Sequence, residues 1–453
     1  MAVPDVAKQN ELSWDQRLRR SAGRSKVALN PEYQELKFTL HRKLLDKINL
    51  EALASIDNQK LRTEVRSALM SLLEGEQTLL SSIERQQIAD EVLDEVFGLG
   101  PLEPMLADST ISDILVNGHK QVYVERKGQL EMTNVTFKDD SHLLRIIDKI
   151  VSQVGRRVDE SSPMVDARLS DGSRVNAIIP PLAVDGPLLS IRRFGTDKLM
   201  PADLVARQSM TQGMLELLEA AVKARLNVIV SGGTGSGKTT MLNALSAFIS
   251  PKERVVTIED AAELQLKQPH LARLETRPPN LEGEGAIRQR ELLVNSLRMR
   301  PDRIVIGECR GEEALDMLQA MNTGHDGSMT TIHANTPRDV ITRMEVMVTL
   351  ANGNLPLSAI RQQIASAVDM IVQIGRMSDG SRRVTSITEV TGMEGQVVTL
   401  QDLFVFEKRG MSPEGRVLGR FAGTGIRPKF YEKVRAAGIA LPADLFDSVV
   451  EIT

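Results

Sequence analysis

Apolar residues return every three or four positions through the first part of the chain. Leu36, Leu40, Leu44, Leu45 and Ile48 form one series, Leu61, Val65, Leu69, Leu72 and Leu73 a second, and Ile83, Ile88, Val92, Leu93 and Val96 a third. That spacing stacks each series on one face of a helix, and it predicts a helical bundle over 31–105. The glycines and prolines of FGLGPLEPML (97–106) close the bundle. Residues 1–30 hold scattered charge (Arg17, Arg19, Arg20, Arg24, Lys26), the lone Trp14 and little apolar pattern, and read as a flexible arm.

From 106 to 199 the period shortens toward two. ISDILVNG and QVYVERKG read as strands joined at Asn117-Gly118, a pair that tolerates positive φ. A helix carrying Leu143, Leu144, Ile146, Ile147 and Ile150 follows, then the strands RVNAIIPPL and PLLSIRRF. The pattern predicts an α+β domain closing near Thr196 to Leu199. Beyond 200, apolar strands alternate with helical stretches: RVVTIED (254–260), RIVIGE (303–308), SMTTIHA (328–334) and VDMIVQI (368–374). Such alternation predicts an α/β domain over 200–453 with a parallel sheet covered on both faces. Its tail adds the strands SITEVTG and LFVFEKR, a glycine-rich loop and a short helix near 430–437.

Composition narrows the class only slightly. The 453 residues exceed one compact core. Hydrophobic residues make up 42%, charged residues 26% and aromatics 3%, with a net charge of -4, so nothing points to nucleic acid. Cys309 is the one cysteine. It excludes an intrachain disulfide and a paired-cysteine zinc site, and it suits a reducing cytoplasm. No apolar run is long enough to cross a bilayer, and the N-terminus lacks a signal-peptide core. Any membrane association is expected through partners.

One stretch carries a specific chemistry. SGGTGSGKTT (231–240) follows the apolar run Leu226, Val228, Ile229, Val230 and opens a helical stretch. Gly232, Gly237, Lys238 and Thr239 spell G-x-x-x-x-G-K-[ST], the phosphate-binding loop in its required strand–loop–helix context. Gly232, Gly233, Gly235 and Gly237, with Thr234 and Ser236 between them, let backbone N–H groups approach phosphate oxygens. The helix N-terminus at Lys238, Thr239 and Thr240 adds partial positive charge. The motif assigns Lys238 to the β- and γ-phosphates of ATP and the Thr239 hydroxyl to Mg²⁺.

Hydrolysis needs more than binding. TIEDAAE places Glu259, Asp260 and Glu263 at the C-terminal end of a strand, where open α/β sheets hold ligands. RIVIGE ends in Glu308, with Gly307 where an aspartate commonly sits. A single such acid is by default a solvated strand-end carboxylate; two acid-tipped strands after a phosphate loop point to chemistry. Two of the six histidines, His325 and His333, fall within NTGHDGSMTTIHANT, where a neutral imidazole could hydrogen-bond a phosphate; a metal site lacks a third ligand cluster. Upstream, Arg174, Arg192 and Arg193 read either as surface ion-pair partners or as arginines that reach a nucleotide from outside its own domain.

In this order, SGGTGSGKTT, TIEDAAE, IGECR and TGHDGSMTTIHANT resemble the ATPases of type II secretion, type IV pilus and type IV secretion systems. GLGPLEPMLADSTISDILVNG, DGSRVNAIIPP, LSIRRF and GTGIRPKF look like the tight-adherence pilus branch, the CpaF type, with the likeness running from about residue 90 onward. The resemblance implies a RecA-like ATPase domain preceded by a PAS-like α+β domain, assembled as a homo-hexamer on an inner-membrane pilus platform. It implies that Glu263 polarises the attacking water, that Glu308 supports Mg²⁺ and water, that His325 and His333 sense nucleotide, and that Arg174 and Arg192 act as arginine fingers. The tetracysteine zinc module of many relatives is absent. Three rivals remain: a type IV secretion ATPase, against which the helices at 31–97 weigh; a RecA-like nucleic-acid translocase; and a nucleotide-binding regulator without turnover.

Overall fold

The computed structural model describes residues 35–37, 39, 40, 43, 44, 58–74, 80–126, 129–193, 199–279 and 284–452. The expected arm over 1–30, with Trp14, lies outside them, as do Leu45 and Ile48. The chain divides into two compact units, the first up to residue 196 and the second from 197.

In the first unit, helices α1 (Asn58–Glu74) and α2 (Ser82–Phe97) bury the apolar faces read from the sequence: Val65, Leu69 and Leu73 pack with Ile88, Val92 and Leu93, and with Leu40 and Leu44. A reciprocal cap starts α2, in which Ser81 N donates to Glu84 Oε2 (2.8 Å) and Glu84 N to Ser81 Oγ (3.3 Å). A six-stranded sheet follows, from β1 (Ile111–Asn117), β2 (Gln121–Arg126), β3 (Gln129–Met132), β4 (Met164–Arg168), β5 (Arg174–Ile178) and β6 (Leu188–Arg192). Its order is β3-β2-β1-β6-β5-β4, with every neighbour antiparallel. Helix α3 (Asp140–Gln153) lays Leu143, Ile146, Ile147 and Ile150 onto the strands' inward residues, such as Ile114, Val122 and Ile191. Gly118 sits at φ +63°, as the Asn-Gly turn requires.

The second unit is built on a ten-stranded sheet. Its strands are β7 (Val228–Gly232), β8 (Val255–Glu259), β9 (Leu271–Glu275), β10 (Arg303–Ile306), β11 (Met329–Ile332), β12 (Met370–Arg376), β13 (Arg382–Glu394), β14 (Val397–Met411), β15 (Val417–Gly423) and β16 (Val449–Ile452). The order is β16-β15-β14-β13-β12-β7-β11-β10-β8-β9. From β12 to β9 every pairing is parallel, and from β12 to β16 every pairing is antiparallel. Successive residues of the parallel strands serve opposite cores. Val228, Val230 and Val305 face one layer with helices Gln212–Lys223 and Lys238–Ser246. Ile229, Ile304 and Ile306 face the other, with helices Glu313–Asn322, Pro337–Ala351 and Leu357–Ala367. This is the RecA-like α/β arrangement, and it explains the unbroken apolar strands. The short tail helix forms at Tyr431–Ala436. The sequence pattern missed β3, β4, β9, β15 and β16, four of them at sheet edges.

Candidate functional site

The parallel strands end along one edge of the second sheet. Register sets Ile332 of β11 beside Ser231, and Ile374 of β12 beside Gly232. Between them the loop 233–237 turns into the helix that starts at Lys238. Gly235 and Gly237 adopt φ of +68° and +100°, which L side chains rarely do. A Cβ on Gly232 would lie 2.4 Å from the Ile374 carbonyl oxygen, so only glycine fits there. The first turn of the helix closes when Met241 N donates to Gly237 O (2.9 Å), which leaves the N–H groups of Lys238, Thr239 and Thr240 at its open end. Lys238 Nζ curls onto the carbonyls of Gly232 (3.0 Å) and Gly233 (3.1 Å). Burial lowers its pKa, against the pull of Glu308.

Two carboxylates rise from the neighbouring strand ends. Glu259, at the tip of β8, is 3% exposed. Its Oε2 accepts the N–H groups of Glu263 and Leu264, both at 2.7 Å. Burial pushes its pKa up to about 7, against the lowering effect of those two bonds. Its side chain fills the space above Gly307, where a Cβ would come within 2.9 Å of Glu259 Cγ. That contact accounts for a glycine at the position where an aspartate commonly sits. Glu308, one residue on, is different. Burial acts to raise its pKa, but the hydrogen bond from Arg310 Nη2 (2.6 Å) and the charges of Arg310, Lys238 and His333 outweigh burial and lower it. Arg310 also meets Asp260 at 3.5 Å and feels the charge of Glu263. The acidic loop is fixed from both sides: Arg273 of β9 donates to the carbonyls of Ala262 (3.2 Å) and Leu264 (2.9 Å), and Gln265 N donates to Asn243 Oδ1 (2.9 Å).

A family-wide sequence profile described as "Type II/IV secretion system protein" matches residues 95–410, more than half of the chain. The chain belongs to this family. Within it, a putative conjugal transfer protein of Mycobacterium tuberculosis is 40% identical over 72% of this chain and 93% of its own length. The conjugal transfer protein TrbB of Rhizobium radiobacter is 33% identical over 63% of this chain and 86% of its own. Among solved structures, the VirB11 ATPase of the Brucella suis type IV secretion system is 28% identical, covering 65% of this chain and 97% of that one, with a TM-score of 0.35. Family membership rests on the sequence matches.

The structure gathers only part of what the family motifs name. Lys238, Thr239, Glu263, Glu308 and His333 share the C-terminal edge of the sheet. Burial and the charge of Lys238 lower the pKa of His333, while Glu308 opposes them. The expectation that His325 joins His333 at a nucleotide needs correcting within one chain. His325 precedes β11 and His333 follows it, so a strand about 13 Å long separates them. There the backbone N–H of His325 bonds Ala320 O (3.3 Å) and its carbonyl accepts from Ser328 Oγ (2.7 Å), beside Asn227, whose Oδ1 accepts from Gly327 N (2.9 Å) and Ser328 N (3.1 Å). Arg174 and Arg192 lie on the first unit as direct cross-strand partners, and Arg168 pairs with Arg174 in turn. The Arg192 side chain is 64% exposed, with Nε 3.1 Å from Asp113, whereas Arg193 donates to the backbone carbonyls of Asp108 and Ile111. Sequence reasoning missed Arg310 and the anchoring role of Glu259. The glycine at 307 was the available sign, since it implies that something else fills that space.

Proposed function

We propose that the chain is an ATP-hydrolysing motor subunit of a type II/IV secretion-class machine. The observation that carries this reading is the phosphate loop, with Lys238 and the open helix end beside the strand ends that bear Glu308 and the Glu263 loop. The N–H groups of the loop and Lys238 would bind the β- and γ-phosphates. Glu263, held from behind by Glu259, would orient the attacking water. His333, neutral in the lowered-pKa setting beside Lys238, would hydrogen-bond a phosphate. Arg174 and Arg192 would supply outside charge to the γ-phosphate across a domain or subunit boundary.

Thr239 and Glu308 suit Mg²⁺. Among the described residues no three acidic, histidine or cysteine side chains cluster as a metal cage, and Mg²⁺ is normally held by one or two protein oxygens with phosphate and water. Bound there, the ion would neutralise charge developing on the phosphates.

On the branch, relatives named for conjugal transfer and type IV secretion support a machine of that kind. A second reading, a tight-adherence pilus motor working on an inner-membrane platform, is favoured by helices α1 and α2. The family match begins at residue 95, so they lie almost wholly before it. Both readings place the chain in a homo-hexamer, reaching the membrane through partners; among the described residues no helix is long and apolar enough to cross one. The test is ATP hydrolysis measured across protein concentration, with particle mass determined alongside. Activity that rises with hexamer supports the motor; a monomer with full activity, or a hexamer with none, contradicts it.

A further inference from the structure

Arg376 closes β12 and Arg382 opens β13, and the ladder sets them directly opposite each other. Cross-strand partners share a face, so the two guanidiniums stand side by side. Both lie at the rim of the phosphate loop. Arg382 Nε donates to the Gly235 carbonyl at 3.2 Å, and Arg376 Nη1 lies 3.6 Å from where a Cβ on Gly235 would be. No carboxylate pairs with Arg382 among the described residues. The acid of the connecting turn, Asp379, is committed elsewhere: its oxygens accept from Ser381 N (2.9 Å), Ser381 Oγ (2.6 Å) and Val417 N (2.8 Å). Arg383, one residue on, goes to the other face, where it donates to Gln208 O (2.9 Å) and lies over Phe406. The turn itself is firm, with Met377 N bonded to Ser381 O at 2.7 Å and Gly380 N to Met377 O at 3.0 Å.

We infer that Arg376 and Arg382 form a second cationic wall of the site, gripping the phosphates of a nucleoside di- or triphosphate from the side of the loop opposite Glu308. The sheet order sets that geometry, because β12 flanks β7 on one side while β11 and β10 flank it on the other. Guanidinium N–H groups that meet a backbone carbonyl can equally meet phosphate oxygens, and charge-assisted bonds to phosphate are the stronger. The wall would bind ground state and transition state alike, so it sets affinity rather than turnover. The inference rests on the nucleotide reading above.

The experiment is calorimetric titration of the full chain with ADP and with inorganic pyrophosphate, which carries the phosphates without the nucleoside. Arg376→Gln with Arg382→Gln should weaken both ligands by about tenfold or more, at an unchanged melting temperature because both side chains are exposed. Arg376→Lys with Arg382→Lys should restore part of the loss. Parent affinity in the glutamine pair overturns the inference, and so does a loss that the lysine pair leaves unrestored, since that marks loop geometry rather than charge. Lys238→Ala separates the two levels. If it weakens binding while the glutamine pair does not, only this inference falls; if it binds like the parent, or the parent binds neither ligand, the nucleotide reading falls as well.

Discussion

Glu259 and Glu308 follow adjacent parallel strands, almost side by side, and their surroundings drive them apart. Glu259 is buried, accepts two backbone N–H groups, and its carboxyl is pushed up to about 7 by that burial. Glu308 has two cationic neighbours, Arg310 and Lys238, and stays below the usual carboxylate range. Acid pairs separated in this way mark a division of labour. One carboxylate is half-buried beside Lys238 and Arg310, which favour its charged form. The other is buried behind it and braces a loop. Both read identically in the sequence, as an acid at the end of an apolar strand.

The largest effect should come from Glu308→Gln. It removes the anion beside Lys238 and should lower kcat by about 100-fold or more, while nucleotide affinity, read by titration, stays near the parent's. A variant that turns over at the parent rate would make the two acids equivalent and dissolve the contrast.

Glu259→Gln should act on stability instead. The folded carboxyl keeps its proton up to about pH 7, whereas the unfolded chain loses it near the ordinary glutamate value of 4.5. The fold therefore binds more protons in that interval. Its stability falls as pH rises from about 4.5 to 7 and levels off above. Glutamine removes this penalty, so the variant should gain up to about 3 kcal/mol over the parent at pH 8 and little at pH 4.5. Urea unfolding at the two pH values reads the difference; an equal effect at both would place the buried proton elsewhere.

A smaller effect is expected from Gly307→Ala. The new methyl would press on Glu259 Cγ at 2.9 Å, costing about 1–3 kcal/mol of stability as the neighbour shifts. In the Glu259→Ala background the same change should cost much less, because the occupant of that space is gone. Additive costs in a double-mutant cycle would show that the two side chains do not meet.

The alternation of apolar strands and helices was legible because each parallel strand is buried on both faces, and the phosphate loop because its spacing has one structural context. The antiparallel extension was half legible. β13 and β14 were read from SITEVTG and LFVFEKR, but β15 and β16 read as loop, since Gly419 and Gly423 interrupt one and the other has four residues. β9 was hidden because LARLE on a sheet edge alternates weakly, yet its Arg273 fixes the acidic loop. Within one chain, His325 and His333 sit at opposite ends of a four-residue strand, a separation that their closeness in sequence does not reveal. The burial of Glu259 was invisible because only the packing of β8 against Gly307 reveals it. Arg376 and Arg382 were invisible because their opposition depends on hairpin register.

The most direct measurement is phosphate release from Mg-ATP by the full chain and by Lys238→Ala in parallel, with nucleotide binding titrated on the same preparations. The parent should bind and hydrolyse ATP, and the alanine variant should lose both while keeping its melting temperature. Hydrolysis by Lys238→Ala at the parent rate would contradict the placement of the chemistry at this loop.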